Sequence, residues 1–153
     1  MINAEKYRKE ILAVTNKHEY FALKADNPTV ITRCNDVEQC RGCLFDNGTC
    51  SSEKMKWLLS EYREPVKLTR FEQDILKYIL EKTQYRFIVR EKSDNIYIYK
   101  RKPKKGIGAW DSSTGMLNLN VFINLFPFIK WEDEEPTSIQ DVLDNCEVVE
   151  SDL

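Results

Sequence analysis

Four thiols carry the best chemical clue in this chain. Cys34, Cys40, Cys43 and Cys50 are spaced C-x5-C-x2-C-x6-C, and the centre reads Cys40-Arg41-Gly42-Cys43. A C-x-x-C turn presents two thiolates to one metal ion, and two outlying cysteines complete a tetrahedron. Gly42 is expected to let that turn close tightly. The reading these residues favour is a closed structural Zn2+ site with Cys34, Cys40, Cys43 and Cys50 as ligands. Such a site supplies folding energy to a loop whose apolar content is little more than Val37, Leu44 and Phe45.

Two alternatives stand beside zinc. Four cysteines also suit an iron–sulfur cluster. The spacing approaches the C-x6-C-x2-C-x5-C loop of endonuclease III-type DNA glycosylases, shifted by one residue on each side. Only 33 residues precede the first cysteine, too few for that enzyme's helical body. The other alternative is reduced, unligated cysteines that pack as small hydrophobes, or disulfides in an exported chain. A catalytic metal is disfavoured, since open sites mix His or carboxylate with a water position. His18 is the single histidine, and it reads as a helix C-terminal residue. Cys146 stands alone in an acidic stretch and is expected to pack at a helix end.

Little else points to catalysis. There is no Gly-rich phosphate loop, no H-E-x-x-H and no nucleophile elbow, so no enzyme and no small-molecule substrate are expected. Charge is the second feature. The net charge of -2 conceals an asymmetry: residues 131–153 carry Glu132, Asp133, Glu134, Glu135, Asp141, Asp144, Glu147, Glu150 and Asp152 with no Lys or Arg. The remainder is net positive, and Lys100, Arg101, Lys102, Lys104 and Lys105 are its densest run. Each run is either a solvated surface or a partner-binding one. The basic run, with Tyr97, Tyr99 and Trp110 nearby, has the composition of a phosphate-contacting surface. The acidic run suits a basic surface that normally holds nucleic acid.

The elements that position these residues read as α+β, with small antiparallel sheets and flanking helices. A helix is expected over 3–16 with Asn3 as N-cap and Tyr7, Ile11 and Val14 on one face. Strands at 20–24 and 29–33 flank a turn at Asp26-Asn27-Pro28, and the cysteine loop follows. A helix capped by Ser51 or Ser52 runs to about Glu64 and stops at Pro65. The seam at Pro65-Val66-Lys67-Leu68 divides the chain into modules 1–65 and 66–153. Thr69-Arg70-Phe71-Glu72 is a capping box opening a helix to about Thr83, with Phe71, Ile75, Tyr78, Ile79 and Lys82 on adjoining turns. A hairpin pairs 85–90 with 96–100. Residues 118–126 are read as a short helix, Phe128–Trp131 as a strand, and a last helix, capped by Thr137 or Ser138, runs to about Asn145. At 153 residues with 42% apolar content, the chain can bury a core. No run is long enough to span a membrane and the N-terminus lacks a signal-peptide pattern.

Two segments resemble small phage and prophage proteins of Gram-positive bacteria. One is the cysteine cluster with Leu44 and Phe45, followed by Trp57-Leu58, Glu61-Tyr62 and Glu64-Pro65. The other is Phe128-Ile129-Lys130-Trp131-Glu132-Asp133-Glu134-Glu135-Pro136 with Ile139 and Leu143 after it. Phage proteins of this size include anti-CRISPR proteins, some of them metal-binding inhibitors of the type II effector nuclease. The resemblance therefore implies a non-enzymatic, zinc-containing antagonist that acts in the bacterial host cytoplasm. It would bind a CRISPR effector nuclease, alone or guide-RNA loaded, and block target-DNA loading. The resemblance transfers no contact residues; the acidic charge itself makes Glu132 to Glu135 the first candidates. The alternative is a phage nucleic-acid-binding regulator that uses the zinc loop and Lys100 to Lys105.

Overall fold

The computed structural model describes residues 1–17, 19–46, 49–113 and 115–150. The chain is α+β with small antiparallel sheets, as expected. It divides into two compact units. One comprises Met1–Pro65 with Asp144–Glu147; the other comprises Val66–Leu143 and the chain from Val148 on. His18 and Asp152 lie outside the described residues.

In the first unit the N-terminal helix is broken in two, α1 (Asn3–Lys6) and α2 (Arg8–Thr15). Asn3 does not cap it. It is buried as the first helical residue, and its Nδ2 donates to Trp57 O at 2.9 Å and Ser60 Oγ at 3.0 Å. A side chain with tertiary partners inside the fold is not available to its own backbone. Strands β1 (Phe21–Lys24) and β2 (Asn27–Arg33) form a hairpin, with Phe21 opposite Arg33 and Leu23 opposite Ile31. Two short 3-10 turns, Cys34–Asp36 and Glu38–Cys40, lead to α3 (Cys50–Leu59). The helix starts earlier than expected, so Ser51 and Ser52 lie inside it, and it ends well before Pro65. The core holds Phe21, Ala22, Leu23, Val37, Cys43 and Phe45, with Ile11, Val14, Trp57 and Leu58 packed against it. Trp57 is the helix's principal core residue, in edge contact with Phe45, whereas Met55 and Leu59 are exposed.

The second unit opens with β3 (Val66–Thr69) and α4 (Arg70–Lys82). The capping box forms: Thr69 Oγ1 accepts from Glu72 N at 3.2 Å, and Glu72 Oε2 accepts from Thr69 N at 2.9 Å. The buried face of α4 is Glu72, Gln73, Leu76 and Ile79, while Phe71 and Tyr78 are exposed. The expected apolar stripe is thus rotated, because Glu72 and Gln73 enter the interior on hydrogen bonds. Next come β4 (Phe87–Arg90) and β5 (Ile96–Tyr99), paired Ile88 to Ile98. The short strands β6 (Lys104–Lys105) and β7 (Trp110–Asp111) pair with each other. Strands β8 (Met116–Asn118) and β9 (Thr137–Ser138) complete a four-stranded sheet in the order β8-β5-β4-β9. One face of its central hairpin carries Ile88, Ile96 and Ile98. The other carries Val89 and Tyr99, packed with Trp110, Phe87, Tyr97 and Trp131.

Two expectations fail between these strands. Residues 118–126 hold the end of β8 and a single 3-10 turn, Asn120–Phe122, rather than a helix. Phe128–Trp131 is turn and loop, not strand. Within it, Ile129 O accepts from the Arg90 guanidinium at 2.9 Å, and the same group holds the carbonyls of Ile123 and Leu125 in the loop before it at 3.1 and 2.9 Å. Helix α5 (Ile139–Asp144) forms as expected, and Ser138 Oγ accepts from Asp141 N at 3.3 Å. The last strand, β10, is Cys146–Val149. Cys146 is fully buried, as a packing residue would be, but it opens this strand and does not sit on a helix end.

Candidate functional site

The cysteine loop is tied to the first hairpin by its backbone. Leu44 N donates to Leu23 O at 2.9 Å, Ala25 N to Gly42 O at 2.8 Å, and Cys34 N to Tyr20 O at 2.8 Å. The C-x-x-C segment closes as a turn, with Cys43 N donating to Cys40 O at 2.9 Å. The left-handed backbone of this turn falls on Cys40, at φ 73°, and not on Gly42. A Cβ at position 42 would meet Val37 Cβ at an ordinary 3.8 Å. The expected role of Gly42 is therefore not the one this turn needs. The unusual conformation sits on a cysteine, where it carries a steric cost.

The four thiols have different surroundings. Cys43 is buried and its Sγ accepts from Phe45 N at 3.4 Å. Cys34 is half-buried; its Sγ donates to Phe21 O at 3.3 Å and accepts from Lys54 Nζ at 3.4 Å. Cys50, the first residue of α3, is exposed, as is Cys40. Burial pulls the Lys54 pKa down, but its hydrogen bonds and charge interactions with Cys34 and Cys50 prevail and hold it above the ordinary lysine value. One ammonium thus interacts with both Cys34 and Cys50, the two outer cysteines of the cluster. Among the described residues, no three His, Cys, Asp or Glu side chains form a group able to hold a metal ion. The donor chemistry suits Zn2+, and the N–H donated to Cys43 Sγ suits a metal-bound thiolate. A four-thiolate shell would need Cys40 and Cys50 to turn inward from the surface.

The charged segments of the second unit meet, which their separation in sequence did not reveal. Lys102 Nζ pairs with Glu135 Oε2 at 2.5 Å. Lys105 Nζ donates to the main-chain carbonyls of Trp131 at 2.6 Å and Asp133 at 2.8 Å. Lys100 lies over the Tyr85 ring, while Arg101 and Lys104 are exposed. Residues 130–133 form a turn closed on itself: Lys130 N donates to Asp133 Oδ2 at 2.9 Å. That turn presents Glu132, and the bend that follows it presents Glu134, on the surface, without an ion pair among the described residues. A groove of 490 Å³ runs between the two segments, lined by Pro103, Lys104, Trp110, Glu134 and Pro136 among others.

A second concavity of 260 Å³ in the first unit is floored by Tyr7 and Trp57, which stack at 5.5 Å, and rimmed by Glu61, Arg63 and Asp144. Burial, followed by the charges of Tyr62, Glu10 and Glu147, raises the Tyr7 pKa. The hydrogen-bond pattern of Asn3 and Trp57 that shapes it had no sequence signal beyond their residue types. No helix among the described residues is long and apolar enough to cross a membrane. No protein-family model, no curated protein and no solved structure matches this chain.

Proposed function

We propose that this protein is a non-enzymatic inhibitor, a phage-encoded anti-CRISPR protein that binds a type II effector nuclease and blocks target-DNA loading. The observation that carries the reading is the acidic turn. Its backbone is fixed by Lys130, Asp133 and Lys105, and it presents Glu132 and Glu134 outward on a preorganised frame. Carboxylates carried on a fixed backbone spare the entropy of ordering a loop on binding, and they complement a positively charged channel that otherwise holds nucleic acid. The regulator reading is supported less well, because Lys102 and Lys105 already spend their charge on the acidic segment.

The test is target-DNA binding by the guide-loaded nuclease, followed by mobility shift. Excess protein is expected to abolish the shift and the cleavage. The double substitution Glu132→Lys and Glu134→Lys should weaken inhibition by roughly tenfold or more, since like charges then face each other. Unimpaired DNA loading in excess wild-type protein rejects the proposal. A shift of DNA or RNA by the protein alone, steeply weakened by salt, favours the regulator instead.

Zinc is part of the same proposal, as a structural clasp on Cys34, Cys40, Cys43 and Cys50. Elemental analysis is expected to find about one Zn per chain, as in other four-thiolate sites. Cys40→Ser should then lower stability by several kcal/mol, because metal binding is folding energy. Stability unchanged by chelation, or a visible iron–sulfur absorbance, argues against zinc.

A further inference from the structure

The side chain of Lys105 is exposed along one side and lies against two indole rings. Its Nζ is 4.5 Å from the Trp131 ring centroid and 5.7 Å from that of Trp110. The two indoles meet edge to face, at 79° and 6.4 Å between centroids. The carbonyls of Trp131 and Asp133 take two of its N–H groups. Aromatic faces attract any cation, but two carbonyl acceptors select one that still bears several N–H donors.

The walls are held from behind. Trp110 is buried; its Nε1 donates to Arg90 O at 3.3 Å, and its carbonyl accepts from Tyr99 Oη at 3.1 Å. Arg90 in turn holds Ile129 O, two residues before Trp131. Trp110 is fixed by groups other than the lysine and keeps its place when the lysine is removed, while Lys130 N on Asp133 Oδ2 still closes the turn that carries the two carbonyls. The groove alongside Pro103 and Glu134 gives access from solvent.

We propose that Trp110, Trp131 and the main-chain carbonyls of Trp131 and Asp133 form a binding site for a primary alkylammonium, occupied in cis by Lys105. The chemical class is that of a lysine side chain. Quaternary ammonium groups fit the rings but leave both carbonyls without a donor. Filling the site from within ties the β6–β7 hairpin to the acidic turn.

The test is chemical rescue of Lys105→Ala in the full chain, read by tryptophan fluorescence. n-Propylammonium restores the atoms the substitution removes. A saturable response in Lys105→Ala is expected, absent in the wild type and lost when Trp131→Leu is added. Tetramethylammonium and potassium at equal ionic strength should give little. No response to n-propylammonium, or an equal one to tetramethylammonium or in the wild type, overturns the proposal. Should Lys105→Ala lose its circular dichroism, competitive amine acylation of the wild type decides. Lys105 is exposed like Lys104 but has two of its N–H groups committed, and should then label several-fold more slowly than Lys104; equal rates overturn the site.

Discussion

Glu72 has 5% of its surface exposed, yet both carboxylate oxygens are used. Oε2 closes the helix cap on Thr69, and Oε1 accepts from Phe126 N at 2.7 Å. Phe126 has φ 58°, so this bond fixes a strained backbone in the loop that leads to the acidic turn. Arg90 completes the arrangement from the sheet side, with carbonyls of Ile123, Leu125 and Ile129 on its guanidinium. Glu72→Ala should cost about 2–3 kcal/mol in urea denaturation, because Phe126 N–H loses a charged acceptor inside the fold. Arg90→Met keeps the stem and strips the donors, and a loss of roughly 3 kcal/mol is expected. Tyr99 offers a pH test. Burial, then the charges of Glu91, Tyr97 and Asp111, pushes its pKa from 10.0 up to about 12. The folded state therefore keeps its proton at pH values where the unfolded chain has lost it. This contribution is fully present below the unfolded value and lost as pH rises from 10.0 to about 12. Tyr99→Phe should flatten the stability curve in that window, measured against the wild type by denaturant melts.

At the scale of elements, Gly106 is where the β6–β7 hairpin depends on a residue type. A Cβ there would lie 2.9 Å from Ala109 O, and Gly106 N donates to that same oxygen at 2.8 Å. Gly106→Ala should open the β6–β7 hairpin and shift the emission of Trp110 and Trp131 to the red. Unchanged emission would show that the hairpin tolerates the extra carbon. Much of the surrounding architecture was legible in the sequence for local reasons. The Thr69–Glu72 box is a contact between near neighbours, and β4 and β5 are dense in β-branched and aromatic residues around a polar turn. The failures are nonlocal. Asn3 was read as a cap, but Trp57 and Ser60, distant in sequence, claim its amide. Phe128–Trp131 has strand composition, but Arg90, distant in sequence, takes the carbonyl of Ile129 that a strand would pair. The same holds for the site: four clustered cysteines are visible in the sequence, whereas Lys54 beside Cys34, or Lys105 between two tryptophans, follows only from folding.

For the molecule as a whole, the chain does not divide by a single cut. The first unit takes back Asp144–Glu147 after the second unit has been traversed. Asn145 shows what the return supplies: its Nδ2 donates to Arg63 O at 3.2 Å and Glu64 O at 3.4 Å. Those carbonyls follow α3 and precede the seam, beside Tyr62, whose amide donates to Met1 O at 2.9 Å. One side chain thus steadies a segment on which the N-terminus is itself anchored. Asn145→Ala removes both donors and leaves two carbonyls to water, an effect of about 1 kcal/mol on this unit. Hydrogen exchange can assign it. Amides of Asn3 and Tyr62 should exchange faster in the variant, while those of Leu76 and Ile79 in α4 keep their rates. Equal acceleration in α4 would mean that the two units open as one, and no change at Asn3 or Tyr62 would remove Asn145 from the support of the first unit. A fragment of residues 1–65 lacks Asn145 altogether. It should therefore show at least the exchange of the Asn145→Ala chain at these amides, even with its cysteine loop intact.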